Sequence, residues 1–190
     1  MSRIVVVATG IEVDIDKLKG FAYRAKLITY ASGCGLVPES RIWVPGNTEY
    51  EYHEDGLYYR DSFCGSFAVP GREWIKLDNE YGRSVWSMYY DGGMQPPYNV
   101  PSAENIAFAN RHFRILKSAL SNLEPENPYR GPTKQLFHHE DCRDIWYGCT
   151  VKGSFERFNG NEWMRFLPEG RSIAKVTFAQ RFGGGIIIYK

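Results

Sequence analysis

The sequence has no block of like charge. Its 23 Lys and Arg nearly balance 22 Asp and Glu, for a net charge of +1. The electrostatic footprint of a nucleic-acid binder is therefore missing. No apolar run approaches the ~20 residues that cross a bilayer. The opening MSRIVVVATG is too short and wrongly flanked for a signal peptide and reads instead as a first strand, Arg3 to Ala8, buried on both faces. Cysteine is scarce: Cys34, Cys64, Cys142 and Cys149 form no CxxC pair. Reduced thiols in a cytoplasmic protein are the expectation. A nucleophile elbow, a phosphate-cradling loop and a dinucleotide fingerprint are all lacking. Gly183-Gly184-Gly185 follows a strand but leads into another, so no helix N-terminus is offered to an anion. Nucleic acid and membrane are thus not expected as partners, and no cofactor is implied.

Aromatic residues are abundant at 15% of the chain, with 13 Tyr, 11 Phe and 5 Trp. Tyr and Trp join a large apolar body to a polar tip and favour strands and pocket walls. A sheet-rich core accounts for most of them, and an aromatic-lined cleft is the sharper reading. At 190 residues the chain fits one domain, 1–190, able to fold without staples.

Periodicity predicts helices over 14–31 and 102–123. Asp14 or Asp16 caps the first, with Leu18, Ala22, Ala25 and Ile28 on one face. Ser102 caps the second, whose stripe is Ile106, Ala109, Phe113, Leu116, Leu120 and Leu123, widened by Phe108, Ile115 and Ala119. Residues 49–64 read as extended, with a turn at His53-Glu54-Asp55-Gly56. Strands follow at 72–78, 83–91, 146–158, 161–167 and 171–181, with a last short one at 185–189.

An internal repeat links 57–93 to 146–185 across the 102–123 helix. Gly65-Ser66-Phe67, Gly71, Glu73-Trp74 and Gly82-Arg83-Ser84 recur as Gly153-Ser154-Phe155, Gly160, Glu162-Trp163 and Gly170-Arg171-Ser172. Convergent turn chemistry is the competing explanation. Each copy reads as a three-stranded meander. The fold class expected is α+β: one curved antiparallel sheet of about six strands, with two main helices on one face.

Several residues stand out chemically. Arg130, held between Pro128 and Gly131-Pro132 beside Tyr129, suits a carboxylate or phosphate; the alternative is an Arg that ties its loop to the sheet. Asp61 falls on the strand face of Tyr59 and demands a partner or a raised pKa. A salt bridge, with Arg130 as one candidate, would meet that demand structurally. Glu73 and Glu162 correspond through the repeat, and a pseudo-two-fold axis would bring them together; ordinary cross-strand pairing is the simpler account. His138-His139-Glu140-Asp141-Cys142 has every metal-ligand type in the wrong order, so no metal is expected. Cys64 and Cys149 read as core thiols.

Ala25-Lys26, Thr29-Tyr30-Ala31, Tyr59-Arg60-Asp61, Val85-Trp86-Ser87-Met88-Tyr89-Tyr90-Asp91-Gly92 and Pro128-Tyr129-Arg130-Gly131-Pro132 together resemble an uncharacterised bacterial family. This is a domain of unknown function found alone or behind a helix-turn-helix regulator domain, and the likeness spans about residues 25–188. The resemblance implies a sensor or partner-binding module and transfers no catalytic residue. The function expected is a small-molecule or partner-binding module whose aromatic-lined cleft, between helix and sheet, holds a small polar or anionic ligand or a partner segment. Asp61, Tyr59, Trp86, Tyr90, Tyr129 and Arg130 are its expected ligand-binding residues, with Glu73 and Glu162 secondary. The alternative is a hydrolase or lyase using the acidic residues. An exposed sheet edge also allows a homodimer.

Overall fold

The computed structural model describes residues 3–189. The chain opens on two short strands, β1 (Ile4–Ala8) and β2 (Ile11–Asp14), paired only with each other. The expectation of a first strand buried on both faces is not met, because a two-stranded ribbon has one face to bury: Ile4 and Val6 are exposed. Helix α1 (Ile15–Lys26) begins where the Asp14 carboxylate accepts the N–H groups of Asp16 and Lys17, at 2.9 and 3.2 Å. Its buried face carries Leu18, Phe21, Ala22 and Ala25, and ends on Lys26. A π-helical turn, Leu27–Ala31, extends it toward the sheet.

Strands β3 (Thr48–Glu54), β4 (Leu57–Phe63), β5 (Gly71–Leu77) and β6 (Ser84–Met94) form an antiparallel meander. Helix α2 (Ala103–Ser121) follows, its Ser102 cap accepting Asn105 N–H at 3.0 Å. A second meander comprises β7 (Phe137–His139), β8 (Cys142–Ser154), β9 (Arg157–Phe166) and β10 (Lys175–Ile186). The two join where β10 pairs antiparallel with β6, giving one sheet of order β3-β4-β5-β6-β10-β9-β8-β7.

The α+β class with two helices and a large antiparallel sheet is thus observed, but the sheet has eight strands rather than about six. Each meander gains one. Residues 49–64 are two strands, reversed at Asp55 and Gly56, both with positive φ. The short β7 is hidden in a polar sequence. Two strand ends also move. The β8–β9 hairpin turns at Phe155-Glu156 rather than near Gly160. The three glycines after Phe182 do not break β10, which pairs through them on both sides.

Both helices pack on one sheet face. Cross-strand register places Tyr59, Ile75 and Trp86 in one row of that face, and Asp61, Glu73 and Met88 in the next. The α2 face turned inward carries Ala109, His112, Ile115, Leu116 and Ala119, while Ile106 is exposed. The opposite sheet face sends Tyr89, Asp91 and Arg181 into solvent. Among the described residues no helix is long and apolar enough to cross a membrane.

Candidate functional site

Five ionisable side chains meet under the helices, each supplied by a different part of the chain. Strand β4 brings Asp61, β5 brings Glu73, and β9 brings Glu162. Lys26 comes from the end of α1 and Arg130 from the loop before β7. Exposure of these residues runs from 0% to 6%, so every charge depends on its neighbours.

Asp61 and Glu73 are direct cross-strand partners, an arrangement that destabilises two carboxylates unless something intervenes. Lys26 Nζ stands 2.7 Å from Glu73 Oε2 and donates to the Tyr129 carbonyl at 2.5 Å. That Glu73 oxygen is sealed from solvent and faces the ammonium. Asp61 is met by a phenol: Tyr90 Oη donates to its Oδ1 at 2.7 Å. Tyr90 can lie there because its partner across the strands is a glycine. A Cβ on Gly71 would meet the Tyr90 ring at 2.3 Å. The second meander shows the same local arrangement. Gly160 faces Phe182 at the same approach, and Glu162, like Glu73, follows two residues later.

Arg130 holds the centre. Its Nε donates to Glu162 Oε1 at 2.9 Å, and a second guanidinium nitrogen lies 3.9 Å from Glu73 Oε1. A third reaches Gln180 Oε1 at 3.4 Å. The guanidinium carbon rests 4.6 Å from the centre of the Tyr90 ring. The loop that aims Arg130 is fixed by Tyr147, whose hydroxyl accepts Gly131 N–H at 2.9 Å and donates to Glu162 Oε2 at 2.8 Å. No Cβ fits at Gly131, since it would meet the Tyr147 ring at 2.6 Å.

Burial, then the Glu73 charge, pushes the Asp61 carboxyl up to about 7, against the Tyr90 hydrogen bond, Arg130 and Lys26. Burial likewise lowers the Lys26 ammonium, although Glu73 opposes it. Burial works against Arg130 too, yet Glu162, Tyr90 and Glu73 raise it overall, so it stays charged. The phenols of Tyr59 and Tyr90 are driven well above their usual range by burial and by these carboxylates, and Tyr30 is pushed up to about 12. All three are neutral donors at physiological pH. Three carboxyl groups thus face two cations, and a proton on Asp61 makes the cluster neutral.

A cavity of about 30 Å³ adjoins this cluster, enough for a water molecule or two. Asp61, Glu73, Tyr59 and Tyr90 are its buried polar wall, and Leu116 and Leu120 of α2 cover it. Its half-buried lining residues, Tyr30, Phe63, Val69 and Phe113, mark the way in.

The structure gathers Asp61, Tyr59, Tyr90, Tyr129 and Arg130 around this cavity, with Glu73 on its wall and Glu162 behind Arg130. Trp86 is not among them. It is fully buried, stacked on Phe155 and Phe158 at 5.2 and 5.8 Å, and its indole N–H donates to the Phe155 carbonyl. The pairing of Asp61 is with Tyr90 rather than with Arg130. Lys26, Tyr30, Gln180 and Tyr147 escaped the sequence reading. Lys26 carried one signal: it ends the apolar face of a helix, a place where a Lys must find a partner. Cys149 is buried, and its thiol is pushed up to about 12, first by burial and then by Glu162, which removes it as a nucleophile. His112 is spoken for by the Phe108 carbonyl and Thr177. Among the described residues no group of three or more His, Cys, Asp or Glu is placed to hold a metal.

A family model described as a domain of unknown function (DUF5680) matches residues 61–187. Its first residue is Asp61, and it takes in all of the cluster except Lys26. No curated protein and no solved structure matches the chain.

Proposed function

We propose, for a chain that belongs to the DUF5680 family, that it is a small-molecule binding module whose cavity under α2 receives the polar group of its ligand. The observation that carries this reading is a built polar wall on an enclosed space. Asp61 on that wall bonds through one oxygen to Tyr90, beside Glu73, whose Oε2 faces Lys26. A core that served stability alone would not set a carboxyl against a void. Apolar residues of α2 cover the space, and aromatic rings line its mouth, as in ligand pockets generally.

Thermal unfolding against a panel of small polar compounds tests this. A ligand at 100 times its dissociation constant adds about 2.7 kcal/mol, which raises Tm on the order of 5–10 °C in a chain this size. The shift should vanish in Leu120→Phe, which fills the cavity from the α2 side. A shift of equal size in Leu120→Phe would place the binding elsewhere and overturn the reading.

A second reading, acid–base catalysis, is favoured by one observation: Asp61 and Glu73 share a cavity in unlike environments. Asp61→Asn separates the two. On the catalytic reading the variant keeps its ligand and loses turnover; on the binding reading it loses the ligand.

A further inference from the structure

We infer that the group recognised in this cavity is a small cation, an ammonium or amidinium, that pairs with the Asp61 carboxyl. The inference rests on the binding reading above and names the ligand class.

An anion finds no free cation. The guanidinium of Arg130 is committed to Glu162 and Gln180, and its face lies on Tyr90. The ammonium of Lys26 is committed to Tyr129 and Glu73. What remains on the wall is the Asp61 carboxyl, bonded through one oxygen to Tyr90. The aromatic residues Tyr30, Phe63 and Phe113 line the cavity, and aromatic rings attract cations. The charge count points the same way. With Asp61 ionised, three carboxylates outnumber two cations by one. A bound cation restores neutrality, whereas a bound anion doubles the excess in a low-dielectric site.

The exchange balances simply. The Asp61 carboxylic acid loses its proton to solvent, and the ionised carboxylate pairs with the arriving ammonium, so one cation is bound for each proton released. The charged groups that set this titration come from every element around Asp61: Lys26 of α1, Arg130 of the loop and Glu73 of β5. The phenols facing it are Tyr30, Tyr50, Tyr59 and Tyr90.

Calorimetric titration of the full chain with methylammonium, methanol and formate between pH 5 and 9 tests the inference, in two buffers of unlike ionisation heat. Methylammonium should bind most tightly, with affinity rising about tenfold per pH unit up to the Asp61 midpoint and level above it. About one proton should be released per cation on the acid side. Asp61→Asn should remove both the slope and the proton release. Should that variant fail to fold, the profile of the unaltered chain decides. Formate binding that weakens as pH rises, or methanol binding that matches methylammonium, would overturn the cation assignment and leave the binding module standing. If none of the three binds and no panel compound shifts Tm, both fall.

Discussion

Strand β4 is buried on both faces, and each face carries an ionic cluster built from alternate residues. Arg60 points to one side. Its Nε donates to Glu49 at 2.7 Å, two further nitrogens reach the Tyr58 hydroxyl and the Arg41 carbonyl, and the Trp43 ring covers it at 4.1 Å. Glu49 is completed by Ser62 Oγ and the N–H groups of Trp43 and Val44. Its carboxyl is held below the usual range: burial works against this, but Arg60, the Trp43 N–H and Ser62 prevail. Asp61, one residue on, points to the other side. There the charges do not balance, and a cavity opens beside the Asp61 carboxyl. The same strand thus shows a well-bonded cluster, in which Arg60 meets Glu49 and also lies 3.7 and 3.5 Å from Glu51 and Glu80, and an open cluster one proton from neutrality. Full satisfaction suits the first to a scaffold; the space beside Asp61 is what supports the binding proposal for the second.

Replacing the arginines tests this contrast most forcefully. Arg60→Leu leaves Glu49 buried and uncompensated, and should cost about 3–5 kcal/mol in denaturant unfolding. Adding Glu49→Leu should recover most of that loss, since a buried pair exchanges well for apolar residues. Arg130→Leu should cost a similar amount, but adding Glu162→Leu should recover little, because Glu73, Gln180 and Tyr147 still lack their partner. Equal recovery on both faces would erase the distinction.

The next effect is on pH dependence. Asp61 has a raised folded pKa, so the unfolded chain releases this proton first. The folded state is therefore favoured below about pH 4, and that advantage is lost as pH rises to about 7. The loss is on the order of 4 kcal/mol at most. Asp61→Asn should flatten this part of the profile and gain on the unaltered chain at pH 8. Glu49, depressed instead, contributes its stability above the unfolded pKa and loses it in acid, so Glu49→Gln should alter the profile only below about pH 4.

Smaller effects refine the comparison. Tyr90→Phe removes the hydrogen bond to Asp61 and should cost about 1–2 kcal/mol. It should also raise the Asp61 midpoint, because that bond favours the ionised form. Arg24, on the exposed side of α1, pairs with Glu54 at 2.8 Å with nearly half its side chain in solvent. Arg24→Ala should cost less than about 1 kcal/mol and less still in high salt, a baseline for surface pairs on the helix that carries Lys26.

The strand alternation of 57–63 showed which residues share a face, and so placed Asp61 with Tyr59. It did not show that both faces are covered, which is why Arg60 passed unremarked. Gly71 and Gly160 each stand two residues before a buried glutamate, and Arg130 reaches both carboxylates. Trp86 lies in the core, stacked on the hairpin that carries Phe155 and Phe158; a buried aromatic and a pocket aromatic look alike in sequence. Lys26 and Gln180 were illegible for another reason. Each gains meaning from partners more than 40 residues away, a distance no local pattern spans.

Carbon NMR of the Asp61 carboxyl, followed from pH 4 to pH 9 and assigned through Asp61→Asn, puts the open cluster to direct trial. A midpoint near 7 in the unliganded chain, moving lower as methylammonium is added, is the expected result. A midpoint near 4, unmoved by the cation, would show the two faces of β4 to be equally closed.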